Sequence, residues 1–334
     1  MSRLRGQKLP RMVASADLRP GDEKATNLIL PATGLRDYDE QMPKLLFAFV
    51  IASSMLSSQT LDGVIDIHAH SDPDSTARSI DAIDLAKLAK ARGMRGLVLK
   101  NHYESTAALA YIVRKEVPGI EIFGGIDLNL TVGGINPAAV ERMTMMKGGW
   151  GRVVWMPTFD SENQVRYSKE NRPFVSVARN GQLLPETREV IVLAAKHNLM
   201  LETGHSSAAE CLTVIREARR AGVKNVVVTH AAIAPIHMSV AQMKEAAALG
   251  AWIEFVYNAL IGPNKEFTAE QYASMIREVG PAHCILSSDL GQAVNPVHTT
   301  GWVAYLAALE KAGVRKTDLE LMSRTNPAQA LGLQ

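Results

Sequence analysis

The 334-residue sequence contains only two cysteines, Cys211 and Cys284, so neither a disulfide framework nor a thiolate zinc site is expected. Aromatic residues make up 5% of the chain and no run of Lys and Arg marks a basic groove, which argues against a nucleic-acid partner. No segment reaches the roughly 18 apolar residues of a membrane-spanning helix. What is present, 47% hydrophobic and 21% charged residues with a net charge of +2, is typical of a globular protein. The length suits one large α/β barrel or two smaller domains.

The first 60 residues differ from the rest and are predicted to form a separate, partly disordered extension. Residues 1–41 are polar and show no hydrophobic period. In residues 42–59 a Met and a Lys precede an apolar stretch and a few small polar residues, a pattern typical of a signal peptide. Two interpretations stay open. Either translation begins at Met42 and the mature domain is periplasmic or secreted, or Met1 is the true start, the protein is cytoplasmic and the apolar stretch closes the bottom of the fold.

From residue 61 to 334, strand-like segments alternate with amphipathic helical segments. The strand-like segments are rich in Val and Ile without polar alternation, as expected for strands buried on both faces of a parallel sheet. Polar N-cap residues and following glycines punctuate the helical segments. Eight such units predict a (β/α)8 TIM barrel as the catalytic domain. The predicted strands cover approximately residues 64–67, 96–99, 120–124, 153–156, 199–201, 226–229, 252–256 and 285–288.

The connection after the fourth predicted strand is longer than the others. It contains Asn180-Gly181 between two short apolar runs, and Asn-Gly suits a type I′ turn. The sequence therefore predicts a β-hairpin insertion at the carboxyl end of the barrel. Two interpretations stay open, a substrate lid and an insertion without a functional role.

Potential metal ligands follow four of the predicted strands. His68 and His70 end the first strand, and residues i and i+2 of a strand point to the same face, so both imidazoles can reach one point. His205, His230 and Asp289 follow the fifth, sixth and eighth strands. Because the carboxyl ends of barrel strands meet at one face, these five residues predict a divalent metal site. Zinc suits such a set, and Mn, Fe and Ni fit it as well.

This arrangement resembles the amidohydrolase superfamily of metal-dependent hydrolases. That superfamily has His-x-His after the first strand, one His after each of the fifth and sixth, and an Asp after the eighth. The resemblance covers residues 63–334 and includes the segment Asn326-Pro-Ala-Gln-Ala-Leu-Gly332 near the end. Lys100-Asn-His102 and Trp155-Met-Pro-Thr158 are similar to the uncharacterised, DUF6282-like branch.

The resemblance implies a role for each ligand. His68, His70, His205 and Asp289 would bind the metal, and Asp289 would also take a proton from the water that the metal activates. His230 would be a further ligand or would polarise the scissile carbonyl group. The implied reaction is hydrolysis of a C–N or C–O bond in an amide, cyclic amide or lactone. Two alternatives stay open, a metal-dependent decarboxylase on the same scaffold and a non-catalytic metal-binding barrel.

One departure from the superfamily pattern leaves the number of metal ions open at one or two. Many members carry a Lys, as a carbamate, or a Glu after the fourth strand that bridges two metals, and this chain has neither there. Lys100 would be a carbamate bridge from a new position, a cation for a substrate carboxylate, or a solvated lysine. Arg78 and His102 are predicted to contact a small-molecule, anionic substrate, although Arg78 also fits an ordinary helix start. The oligomeric state stays open, a homo-oligomer included.

Overall fold

The computed structural model describes residues 60–334, so the predictions for the N-terminal extension, including the signal-peptide-like segment 42–59, lie outside the described residues. Eight parallel strands form one sheet in the order β1-β2-β3-β4-β7-β8-β9-β10. A bridge between Ala69 and Leu290 brings the first and last strands together, so the sheet is a nearly closed barrel. The predicted (β/α)8 fold is confirmed. The barrel strands are β1 (Ile65–Ala69), β2 (Gly96–Leu99), β3 (Glu121–Asp127), β4 (Gly151–Trp155), β7 (Met200–Glu202), β8 (Asn225–Val228), β9 (Trp252–Val256) and β10 (Cys284–Ser287).

Helices cover the outside of the barrel and begin where the sequence offers caps. Ser207, Ser239 and Thr268 each form a capping box, in which the cap hydroxyl and the side chain three residues later satisfy backbone N–H groups reciprocally. No helix within residues 60–334 is long and apolar enough to cross a membrane. The α-helices are α1 (Ala82–Ala91), α2 (Ala107–Glu116), α3 (Pro137–Thr144), α4 (Glu162–Tyr167), α5 (Pro185–Lys196), α6 (Ala208–Arg220), α7 (Val240–Ala248), α8 (Ala269–Val279), α9 (His298–Lys311), α10 (Lys316–Glu320) and α11 (Asn326–Ala330).

The predicted hairpin is confirmed as two short antiparallel strands, β5 (Ala178–Arg179) and β6 (Gln182–Leu183). Asn180 and Gly181 have φ values of 52° and 74°, the two left-handed conformations that a type I′ turn requires. The hairpin belongs to the connection between β4 and α5, and β6 contacts α6.

The interior of the barrel is apolar at one end and polar at the other. Ile65, Ile67 and Val153 belong to an apolar cluster that is closed from below by Ala328 and Leu331 of the last helix and its end. At the carboxyl ends of the strands the interior side chains become polar. Four of these, Lys100, Asp127, Glu202 and Glu254, have no exposed surface. This polar layer lies where barrel enzymes place their active sites.

A β-bulge in β1 decides which side chains face this layer. The pairing register of β1 with β2 shifts between Asp66 and Ala69. Ile67 packs in the barrel interior and His68 also points inward, as expected where an extra residue interrupts the alternation. Asp66 lies on the outer face, where its carboxylate accepts hydrogen bonds from the Ser288 backbone N–H at 3.0 Å and from Trp302 Nε1 at 2.8 Å. Asp66 thus joins β1 to the end of β10 and to α9.

Replacing Asp66 with Ala is expected to lower the free energy of unfolding by about 2–4 kcal/mol. It leaves three buried donors, the backbone N–H groups of His68 and Ser288 and Nε1 of Trp302, without this acceptor. Asp66→Asn keeps the size and one acceptor oxygen and should lose less. Urea unfolding, followed by circular dichroism, measures the free energy of unfolding of both variants. An Asp66→Ala protein that unfolds at the wild-type urea concentration would show that this carboxylate does not hold the barrel closed.

Candidate metal centre

Three of the predicted ligands meet at one point. His68 and His70 leave the end of β1, and Asp289 follows β10. Their Nε2 atoms lie 3.2 and 3.0 Å from Asp289 Oδ1, and the three ligand atoms all lie within 4.8 Å of one another. All three residues are buried. Asp289 has φ of 50°, a left-handed conformation that is uncommon for a residue with a side chain and is typical of functional sites.

His205 and His230 lie across the same cavity, which has a volume of about 410 Å³ and is lined by all five predicted ligands. Their Nε2 atoms are 3.1 Å apart. The rings of His68 and His230 stack at a centroid distance of 5.9 Å, so the pair adjoins the three-ligand cluster. His230 also has a positive φ, of 25°. The structure therefore brings together the ends of four strands, as the sequence predicts.

Hydrogen bonds set the tautomers of three histidines. Each Nδ1 faces an acceptor, so each carries its proton on Nδ1 and presents the lone pair of Nε2 to the cavity. The acceptors are Glu254 Oε1 for His68 (3.1 Å), the Lys100 carbonyl oxygen for His70 (2.7 Å) and Gln164 Oε1 for His205 (2.9 Å).

This donor set fits a cation. The Nε2 lone pairs of His68 and His70 and the carboxylate oxygen of Asp289 are acceptors within hydrogen-bond distance of one another, and these tautomers place no proton between them. Such an arrangement is repulsive unless a proton or a metal ion occupies the centre. Neutral imidazole and carboxylate are the ligands that zinc and related divalent ions accept.

The electrostatic environment favours the same conclusion. Burial lowers the pKa of His70 and of His205 well below the ordinary value, which keeps both rings neutral and able to ligate. For Asp289, burial raises the pKa, but the charge of His68 and the neighbouring His70 and His230 outweigh it and hold the pKa well below its usual range. His68 differs: burial lowers its pKa, the charges of Asp289 and Glu254 outweigh this, and the net shift is upward. A proton and a metal ion therefore compete for His68.

Glu254 is the residue of the centre that the sequence reasoning missed. It lies on β9 with no exposed surface. Its carboxylate accepts hydrogen bonds from His68 Nδ1, from the backbone N–H of His230 at 2.6 Å and from the hydroxyl of Ser287. A single carboxylate within the apolar strand Trp252–Val256 is the signal that was available, because buried Glu is rare unless paired.

Lys100 lines the cavity but has no exposed surface, so the solvated-lysine interpretation is wrong. Its Nζ lies 3.3 Å from Asp127 Oδ2 and 5.4 Å from the centre of the Trp155 ring. His102 shares Asp127 as a partner: its Nδ1 lies 3.2 Å from Asp127 Oδ2 and 2.9 Å from Thr158 Oγ1. The His102 ring lies 4.8 Å from that of His70, so it adjoins the three-ligand cluster without belonging to it.

The cavity wall opposite β1 comes from the long connection after β4. Phe159 and Gln164 of this connection line the cavity, and the Phe159 ring lies 4.4 Å from His102 and 5.4 Å from His205. The hairpin does not line it. The hairpin packs against α6, and Phe159 rather than the hairpin forms this wall, so the lid interpretation stays a prediction. Arg78 completes the wall beside His70.

Glu202 lies beside Glu254 in the polar layer. Burial, reinforced by the negative charge of Glu254, raises the pKa of Glu202 to about 8. For Glu254, burial alone would raise the pKa, but the charge and hydrogen bond of His68 outweigh it and lower the pKa. At neutral pH the pair holds one proton, and this proton belongs to Glu202.

Comparison with known proteins gives a family and a fold. The model of DUF6282, described as a family of unknown function, matches residues 63–254. No match is found among curated proteins. An amidohydrolase from Burkholderia multivorans solved with bound zinc has a TM-score of 0.57 and 13% identity, over 81% of this chain and 99% of that one. An amidohydrolase from Pseudomonas aeruginosa has a TM-score of 0.54 and 14% identity, over 82% and 96% of the two chains.

A third solved structure is a putative 2-pyrone-4,6-dicarboxylic acid hydrolase from Pseudomonas putida. Its TM-score is 0.53 at 16% identity, over 81% of this chain and 97% of that one. At these identities the similarity shows the fold. The predicted resemblance to the amidohydrolase superfamily is thereby confirmed at the level of the barrel, and the DUF6282-like branch is confirmed by the family model.

Glu254→Gln is expected to weaken metal binding about 10-fold or more, because it removes the charge that orients and polarises His68. Competition with a chelating dye measures the affinity. Glu266→Gln is the matched control: Glu266 also lines the cavity, but its hydrogen bonds go to the Ala234 backbone N–H and to His237. Equal affinities in the two variants would contradict the role of Glu254.

Glu202→Gln is expected to stabilise the metal-free protein at pH 8 and not at pH 5. The pKa of Glu202 is raised from 4.5 in the unfolded chain to about 8 in the folded protein. Between these two pH values the folded protein keeps a proton that the unfolded chain releases, so the free energy of unfolding falls as the pH rises. Gln does not ionise, so the variant should melt about 2 °C or more above the wild type at pH 8. Calorimetry at the two pH values tests this, with the exposed Glu278→Gln as control. A difference in melting temperature between variant and wild type that is the same at both pH values would contradict the raised pKa of Glu202.

Proposed function

The chain belongs to the DUF6282 family, whose function is unknown, and we propose that it is a metal-dependent hydrolase of a C–N or C–O bond in an amide, cyclic amide or lactone. The observation that carries the proposal is the convergence of His68 Nε2, His70 Nε2 and Asp289 Oδ1 in a cavity that admits a small molecule. The barrel shared with solved hydrolases supports it.

The proposed ligands are His68, His70, His205 and Asp289, with His230 as a further ligand or as the group that polarises the scissile carbonyl. Zinc is the metal proposed, and Mn, Fe and Ni suit the same nitrogen and oxygen donors. A divalent ion bound there supplies a Lewis acid and lowers the pKa of water towards 7. We propose one ion, because among the described residues His68, His70 and Asp289 form the one group of three convergent ligands.

Asp289 is the proposed general base. Its low pKa keeps the carboxylate ionised at neutral pH, ready to accept a proton. Asn258 Nδ2 donates to Asp289 Oδ2 at 3.1 Å, and Asn295 in turn donates to Asn258 at 3.0 Å. This chain of amides holds the carboxylate with Oδ1 towards the histidines. Hydrogen-bonded placement of this kind is what a base needs in order to act on a bound substrate.

Lys100 is proposed to act as a cation, favouring negative charge that develops on the substrate. A carbamate on Lys100 would place a second negative charge beside Asp127, whose Oδ2 lies 3.3 Å from Nζ, so the carbamate bridge is not proposed. The burial of Lys100 makes a direct bond to a substrate carboxylate less suitable than an electrostatic role. His102, with Nδ1 held by Thr158 and Asp127, is proposed to contact the substrate through Nε2.

Asp289→Asn is expected to lower turnover by about 10²–10⁴-fold while sparing the fold, because Asn keeps the shape and an oxygen ligand but does not accept a proton. Its metal content should fall only partly, since the histidines remain. Elemental analysis should find at least one divalent ion per wild-type chain, and turnover is measured on a panel of amides and lactones with product identification by mass spectrometry.

His68→Ala is the contrasting variant, because it should lose metal and activity together. Products that have gained water support the hydrolase, whereas release of carbon dioxide would identify a decarboxylase instead. Wild-type turnover by Asp289→Asn would contradict the assignment of the base, and a folded protein that takes up no added metal would contradict the metal centre.

A further inference from the structure

Arg78 occupies a fixed position at the cavity wall. Its backbone forms an antiparallel bridge with Gln292, and the neighbouring Ser79 N–H donates to the Gly291 carbonyl at 2.8 Å. The loop after β1 is thereby tied to the segment that directly follows Asp289. The Arg78 side chain is 5% exposed and lines the cavity. The guanidinium is therefore a buried, positioned group rather than a flexible surface cation.

The guanidinium uses only one of its two forks. Nε donates to Asp74 Oδ2 at 2.6 Å, and Nη2 contacts the same oxygen, so Asp74 occupies the fork on the Nε side. The end fork, formed by Nη1 and the second N–H of Nη2, has no acceptor among the described residues. Asp74 has a fully buried side chain and does not line the cavity. Because Arg78 lines the cavity and its partner Asp74 does not, we infer that the end fork faces the cavity.

Nothing else on the described wall offers the same recognition. Arg78 is the one arginine among the described residues that line the cavity, and Lys100, which also lines it, presents a point charge with its Nζ 3.3 Å from Asp127 Oδ2. The charge of Arg78 is among the causes, after burial, that lower the pKa of His70 and His102, so the guanidinium lies near both rings. An anion on the end fork would therefore lie beside the proposed metal centre.

We propose that Arg78 binds a carboxylate of the substrate through its end fork, so that the substrate is a small carboxylate-bearing amide or lactone. This rests on the proposed hydrolase function of the same cavity. A planar carboxylate matches the two parallel N–H groups of the end fork. It also brings less negative charge than a phosphate dianion to a guanidinium that is already paired with Asp74. The cavity of about 410 Å³ limits the substrate to a small molecule.

A binding experiment tests the subsite without reference to turnover. Glutarate, its dimethyl ester and inorganic phosphate are titrated into the wild-type protein, as isolated and after chelation, by calorimetry. Glutarate should bind in both preparations and the ester should not. Arg78→Met should weaken glutarate binding about tenfold or more, the loss of one charge-assisted pair, with metal content unchanged. Arg166→Met, at a different pocket, is the matched control and should bind as the wild type does.

A second variant guards against misfolding, because Arg78→Met leaves Asp74 buried without its partner. Arg78→Lys keeps the positive charge but removes the planar fork. We expect it to lose about as much glutarate affinity as Arg78→Met. Wild-type glutarate binding by a folded Arg78 variant, equal binding of the ester, or tighter Arg78-dependent binding of phosphate would overturn the proposal.

Turnover separates this inference from the function on which it rests. N-acetyl amino acids are compared with their carboxamides, and lactone carboxylates with their esters. The subsite is supported if the enzyme prefers the free acids and if Arg78→Met raises KM for them without changing the metal content. Equal turnover of acids and neutral analogues overturns the subsite and leaves the hydrolase intact. Should no compound be hydrolysed, the hydrolase proposal fails, and the glutarate titration still decides the role of Arg78.

Discussion

The hydrogen bonds accepted by Glu254 are the constraint on which the site depends. One carboxylate on β9 orients the ring of His68, holds the backbone of His230 in its left-handed conformation and binds the hydroxyl at the end of β10. Three strand ends are thereby positioned relative to one another by a single buried charge. Such a charge is costly in an apolar barrel unless its partners are complete, so the same bonds that stabilise it also make the geometry unique.

The polar layer around Glu254 is stable because only one of its two neighbouring glutamates carries a charge. Glu254 is ionised against His68, whereas Glu202 beside it keeps its proton, so two neighbouring carboxyl groups do not carry two charges. Lys100 and Asp127 form a second pair in the same layer. The apolar cluster below excludes water from all four groups. A low-dielectric floor under a polar layer strengthens every interaction that the layer makes with the cavity.

Much of the fold and part of the site could be predicted from the sequence, for physical reasons that the residues make plain. The eight strands are mainly apolar runs, and His68, His70, His205, His230 and Asp289 lie at or just after the ends of four of them. The dipeptide Asn180-Gly181 was sufficient to predict the turn of the hairpin. It could not predict where the hairpin packs, because that depends on contacts with α6, which is distant in sequence. The lone carboxylate of Glu254 in an apolar strand could have marked that residue, but its partners, Gln164 and the partners of His102 could not be predicted, since these contacts form only when separate elements meet. The sequence left three roles of Lys100 open, because its contact with Asp127 also forms only in the fold.

The bulge between Asp66 and Ala69 lets one strand serve two parts of the barrel. Because it resets the alternation of β1, the floor residues Ile65 and Ile67 and the ligands His68 and His70 all face inward, although they would otherwise lie on opposite faces. The floor and the ligand pair are therefore separate modules within one strand. A change of side-chain volume at Ile65 would therefore act on the packing of the floor, whereas a slip in the β1–β2 register would turn the imidazoles away from the cavity.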